Sequence, residues 1–178
     1  MADLEVAKNR QEEAALLYDE AVRLFSMLEQ NDYHRSLLAE ALCASAATAN
    51  RRKLPALAKE LLSRAQSTVP QLSVDTYSRM AQARIYFELG VLNEAQEPRE
   101  ALRYYQLASN LGETLHQGDP TRKSFTLVLI ESLHRVDKTA SNLPEHEVAT
   151  SARRKLTSAL EHLDIDKEDV RFQVLVAP

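Results

Sequence analysis

Five histidines, one cysteine and a scatter of carboxylates are the side chains here that could do chemistry, and their spacing decides how much. His34, His116, His134, His146 and His162 never fall into the His-Glu-x-x-His pattern that sets two zinc ligands on one helix face. His146 and Glu147 are only neighbours in sequence, so no metal site is expected. Asp164-Ile165-Asp166-Lys167-Glu168-Asp169 begins like a calcium loop. The sixth position is not Gly, however, and Leu175 stands where a bidentate Glu is needed, so a charged helix start is the expectation. Cys43 lies in an Ala-rich stretch with no His near it in sequence, which fits a small buried hydrophobe better than a nucleophile. A Gly-rich phosphate loop and a Gly-x-Ser-x-Gly elbow are both absent. No enzyme chemistry and no cofactor are expected.

Two basic triplets, Arg51-Arg52-Lys53 and Arg153-Arg154-Lys155, have the composition of a contact for nucleic acid or acidic lipid. Such triplets are more often solvated helix faces or ends. The net charge of −4 and a pI near 5.8 point the same way, because nucleic-acid binders usually carry a large basic excess. No segment reaches the roughly 18 consecutive apolar residues of a membrane helix. A lone cysteine excludes an internal disulfide, and Met1-Ala2-Asp3-Leu4 lacks the basic and apolar stretches of a signal peptide. A cytoplasmic protein with neither nucleic acid nor membrane as partner is the expectation.

The elements that must carry any site are helices. Of the 178 residues, 44% are hydrophobic and 27% charged, with three Gly and no Trp, which suits packed helices and leaves little material for a sheet. The first helix spans about Leu4 to Glu29, with Ala14, Leu17, Ala21, Leu24, Phe25 and Leu28 along one apolar stripe. A second runs from Tyr33 to Asn50. A third, from Leu54 to Ser67, has Pro55 in its first turn, where a missing N–H costs nothing. Asp75 is the N-cap of a fourth that carries Met80, Ala83, Ile85, Tyr86 and Leu89, with Gly90 weakening it and Val91 to Ala95 able to continue it. Pro98 opens a fifth, which buries Ala101, Leu102, Tyr105, Ala108 and Leu111 and ends near Gly112. Gly118-Asp119-Pro120 breaks the chain before a sixth that reaches Ala140. The seventh runs from Pro144 to Leu163. The tail, 164–178, is either a short charged helix or an extended Phe172-Gln173-Val174-Leu175-Val176 docked on the last helices. The whole of 1–178 is expected to be one domain of about seven helices.

Three helices share one spacing: Ala58, Leu62, Ala65; Ala101, Tyr105, Ala108; and Ala152, Leu156, Ala159. Small residues let a partner helix nestle close, while the large one fills the space between successive helix pairs, as in a helix-hairpin solenoid. With Glu100-Ala101-Leu102-Arg103-Tyr104-Tyr105-Gln106-Leu107-Ala108 and Tyr86 followed by Gly90, the chain resembles the tetratricopeptide repeat family over about Tyr33 to Leu163. Its repeats are lengthened: Ala65, Ala108 and Ala159 lie 43 and 51 residues apart instead of about 34, and Val91 to Glu97 is an insertion. The resemblance implies an all-α, right-handed solenoid of antiparallel helix hairpins. Its function would be that of a non-catalytic scaffold or adaptor, holding a peptide or partner helix in a concave groove. Residues implied to line that groove are Tyr77, Met80, Arg84 and Phe87, with Cys43 and Asn50 to one side and Glu131, Arg135 and Lys138 to the other. The alternatives are a homo-oligomerisation module and a small-ligand sensor.

Overall fold

The computed structural model describes residues 2–29, 31–69 and 75–161, with side chains from residue 10 onward; the tail 164–178, its calcium-like start and His162 lie outside them. Among the described residues the chain is all-helical: α1 (Ala2–Ser26), α2 (Asp32–Arg51), α3 (Pro55–Thr68), α4 (Thr76–Asn93), α5 (Pro98–Gly118), α6 (Lys123–Asn142) and α7 (His146–Glu161). It divides into two compact units, Met1–Leu92 and Asn93–Pro178.

In the first unit α2 is the central helix, packed between α1 and α3 and buried along most of its length. Local chemistry sets its ends. The Asn31 side chain accepts the His34 N–H at 2.8 Å as an N-cap. At the other end Lys53 takes a left-handed φ of 61°, Lys53 N–H donates to Asn50 O and Leu54 N–H donates to Ala49 O. Those two bonds form a Schellman closure, so Arg51-Arg52-Lys53 is a helix end. Pro55 opens α3, and the Asp75 carboxylate caps α4 by accepting the Ser78 N–H at 2.9 Å. Ser36 and Ser78, both buried, share a 3.3 Å hydrogen bond that joins α2 to α4.

The first helix differs from its sequence pattern. Leu17, Leu24 and Leu28 leave 71%, 50% and 41% of their surfaces exposed. The side turned to α2 is carried instead by buried Val22 and half-buried Gln11, Ala14, Ala15, Ala21 and Phe25, while Ser45 of α2 donates to the Asp19 carboxylate at 3.1 Å. The reason is that, among the described residues, α1 packs chiefly against α2, and the apolar arc is wider than one helix can cover.

In the second unit α6 is packed between α5 and α7. Contacts climb α5 while descending α6, from Gly112 against Leu129 to His116 bonded to Thr126, so the two run antiparallel. Ala101, Tyr105 and Ala108 are fully buried, as are Ala58, Leu62 and Ala65 in α3, so these two small-large-small faces point inward; in α7 Ala152 and Ala159 are nearly so, while Leu156 between them is half-buried. The helix does not stop at Gly112. It continues to Gly118, because Gly112 is a packing residue: a Cβ there would lie 2.9 Å from Leu129 Cα and 3.2 Å from Leu129 N. Only hydrogen lets the two backbones approach so closely.

Gly112→Ala is therefore expected to lower stability by about 1–3 kcal/mol, since the overpacking outweighs the gain in helix propensity of about 1 kcal/mol. Gly118 has a negative φ and open space around its Cβ position, so Gly118→Ala should be neutral or slightly stabilising. Urea denaturation of both variants checks the contrast; two equal effects would remove the packing account of Gly112.

Candidate functional site

Two surfaces bring polar and apolar side chains together, one in each unit. In the first unit, Tyr77, Met80, Arg84 and Phe87 recur at helical spacing on one face of α4, Tyr77 exposed and the other three half-buried. Tyr33 of α2 meets Tyr77 edge to face at 5.1 Å between ring centres and lies 5.7 Å from the His34 ring. Both tyrosines are exposed, so the pair forms an aromatic shelf beside α4. Tyr33 was not among the residues expected to line a groove. Its position at the start of α2 put it outside the apolar period, and only the tertiary fold brings it to Tyr77.

Beneath that face is a charged group. Partial burial pushes the Glu40 carboxyl above the ordinary carboxylate range, and the nearby Arg84 guanidinium only partly opposes the shift. Cys43 is buried, and its thiol is pushed far up by burial first, then by the negative charges of Glu88 and Glu40. A thiol so held is not a nucleophile at neutral pH. Asn50 sits in the last turn of α2, where its carbonyl accepts the Lys53 N–H.

In the second unit, Glu131, Arg135 and Lys138 share one face of α6 with His134. Arg135 is held within the fold: it donates to Glu94 Oε2 at 3.0 Å, and the same carboxylate accepts the buried Tyr105 hydroxyl at 3.2 Å. Partial burial, then Arg135 and Lys138, pull the His134 imidazole below its ordinary range, with Asp137 opposing. The triplet Arg153-Arg154-Lys155 is largely committed too. Arg153 pairs with Asp137 at 2.8 Å and Lys155 with Glu113 at 2.5 Å.

That last pair crosses a groove that sequence reasoning did not find. Helices α5 and α7 flank α6, and between them run two adjoining cavities of about 440 and 320 Å³ that share Lys155. The floor is apolar: Leu129, Leu133 and Val136 of α6, three and four residues apart. Gln106, Asn110 and Gln117 line one wall, Ser151 and Ser158 the other, and the lining residues of α5 and α7 advance in the same order along it. The only sequence signal was the row of exposed amides and hydroxyls on helix faces already assigned to the core. In the first unit a smaller cavity of about 40 Å³ lies between α3 and α4, bordered by Gln66, Val69, Gln82, Ile85 and Tyr86. It has room for a water or two and no more.

Among the described residues no three His, Cys, Asp or Glu side chains converge as a metal cage requires, and no helix is long and apolar enough to cross a membrane. Comparison with family models, with curated proteins and with solved structures finds no match to this chain.

Glu40 gives a pH test of the first surface. A carboxyl whose folded-state pKa is raised costs stability once it ionises, so its favourable contribution is present at low pH and lost as pH rises through the folded value. Glu40→Gln is expected to raise Tm by about 2 °C at pH 7, with the advantage shrinking towards pH 4. A melt series in which the variant loses stability at pH 7 would mean that attraction to Arg84 outweighs burial.

Proposed function

We propose that this chain is a non-catalytic scaffold of the tetratricopeptide-like kind, a right-handed solenoid of antiparallel helix hairpins that holds an extended segment of another protein. The groove over α6 carries the reading. Its floor is apolar, and its walls bear Gln, Asn and Ser side chains that both donate and accept hydrogen bonds. Such walls suit the alternating N–H and C=O groups of an extended backbone, while the floor takes its apolar side chains. From Gln106 to Gln117 the groove follows α5 for about 16 Å, the length of roughly five extended residues. The Glu113–Lys155 clasp at its centre is partly exposed and so worth about 1 kcal/mol or less; a peptide N–H and carbonyl can take over its two ends at small cost. The buried small-large-small faces on α3 and α5, and the buried alanines on α7, support the repeat architecture. A small-ligand sensor is less well supported, since the cavity in the first unit admits only water and the larger ones are open troughs with polar rims.

A second reading places the peptide across the α4 face of Tyr77, Met80, Arg84 and Phe87, and the exposed Tyr33–Tyr77 pair favours it as an aromatic anchor. One experiment separates the two. Random peptides displayed on phage are selected on the wild-type protein, and the enriched sequences are measured against Asn110→Arg/Ser151→Arg, which fills the groove from two exposed positions, and against Arg84→Glu. The expected result is at least a ~10-fold loss of affinity for the groove variant only, about 1.4 kcal/mol. Loss confined to Arg84→Glu would move the site to α4, and selection that enriches nothing would overturn the peptide-binding reading.

A further inference from the structure

Among the described residues of the first unit, the outer face of α1 carries the largest group of exposed apolar side chains. Leu16, Leu17, Leu24, Met27 and Leu28 are 70%, 71%, 50%, 73% and 41% exposed. Among the described residues no other helix displays so many large apolar side chains to solvent: α2, α3, α4 and α5 expose one each, Tyr33, Leu57, Tyr77 and Leu107, with Leu54 just before α3. Isolated exposures of that kind are ordinary, whereas five on one helix and its closing turn are a patch.

We propose that this face is a dimer interface, and that its occupant is the same face of a second copy of the chain. The pattern of small and large residues fits such a partner. Leu17, Ala21 and Leu24 are spaced four and three apart, the interval of a two-helix seam, and Leu28 extends the line through the turn after Ser26. Half-buried Ala14 and Ala21, at the edge of the side turned to α2, leave room beside the exposed leucines for a second helix to set its own. Glu13 and Glu20 stand between Leu16 and Met27 on one side and Leu17 and Leu24 on the other, and Glu20 is matched within its own helix by Arg23, with Nη2–Oε1 at 2.6 Å.

The area is what a dimer needs. The five side chains leave roughly 500–600 Å² open, at the upper end for the largest patch on a monomer, and pairing two copies buries about 1,100 Å², close to the lower bound of a specific interface. A two-fold arrangement uses the same patch on both copies and closes without leaving a free end to propagate. An interface of this size and apolar character is held mainly by burial, so its strength should depend little on salt.

The test is the mass in solution. The chain is 20.1 kDa. Sedimentation velocity at about 100 μM should give a species of about 40 kDa that dissociates on dilution, as a micromolar interface requires. Leu17→Lys/Leu24→Lys places each lysine four residues after Glu13 and Glu20, an order that supports the helix while charging the seam. That variant should sediment as monomer with an unchanged far-ultraviolet circular-dichroism spectrum, and Leu57→Lys, on exposed α3 surface, should remain dimeric. Wild-type protein that stays monomeric at that concentration, or a lysine variant that still dimerises, overturns the proposal.

Discussion

Close approach of helix backbones across small residues is the constraint on which the second unit depends. Gly112 lies against the backbone of Leu129, and fully buried Ala101 and Ala108 flank a fully buried Tyr105 on the same helix. With so little side chain between the axes, α5 presses onto α6 and leaves its amides and carboxylates turned aside. Helix α7 meets α6 through Ala149, Ala152 and Ala159, again small residues. Two helices held this tightly to one central helix cannot also close over it. The strip of α6 between them, Leu129 to Val136, becomes a floor with polar walls. The groove is therefore a by-product of how the core is packed.

Much of this was legible from residue types alone, for reasons that are local. Helix starts follow from single side chains: Pro55 and Pro98 need no partner for the missing N–H, and Asp75 reaches the Ser78 N–H three residues on. Alanine-rich spacing marked the inward faces of α3, α5 and α7 because burial and spacing are tied through the helical period. The failures were matters of tertiary context. Gly112 carried the propensity of a helix end, yet the packed approach of Leu129 needs Gly inside the helix. The stripe of α1 had the pattern of a core face, but periodicity cannot say how many neighbours a helix will have. An end helix with one neighbour exposes what a middle helix would bury.

Charge placement follows the same logic. Of the residues that the sequence put in a groove, Arg135 is engaged by Glu94, a carboxylate that also receives the Tyr105 hydroxyl. That shared acceptor ties the turn before α5 to both α5 and α6, which a sequence reading has no means of seeing because the partners are 11 and 41 positions apart. Tyr77, Met80, Arg84 and Phe87 do fall on one face of α4, since three spacings within one helix need no tertiary information. Glu94 and Arg135 pair across sequence, whereas Tyr77 and Arg84 align along it. Only the second kind of relation is written in the period.

The two open surfaces differ in the chemistry they offer, and that difference argues for different occupants. Over α6 the apolar atoms lie at the bottom of a trough, nearly covered, and the accessible groups are amides, hydroxyls, the Glu113–Lys155 pair, the Glu147 carboxylate and the His116 ring. A ligand gains little there by burial alone and must supply hydrogen-bonding groups in sequence, as an extended main chain does. On α1 the accessible groups are leucine and methionine side chains standing above the helix. A ligand there gains by excluding water and needs a complementary apolar relief, which a copy of the same helix possesses by construction. A chain that pairs through α1 would carry two α6 grooves per assembly, and a client with two extended segments would then bind with the enhanced effective concentration of a bivalent contact.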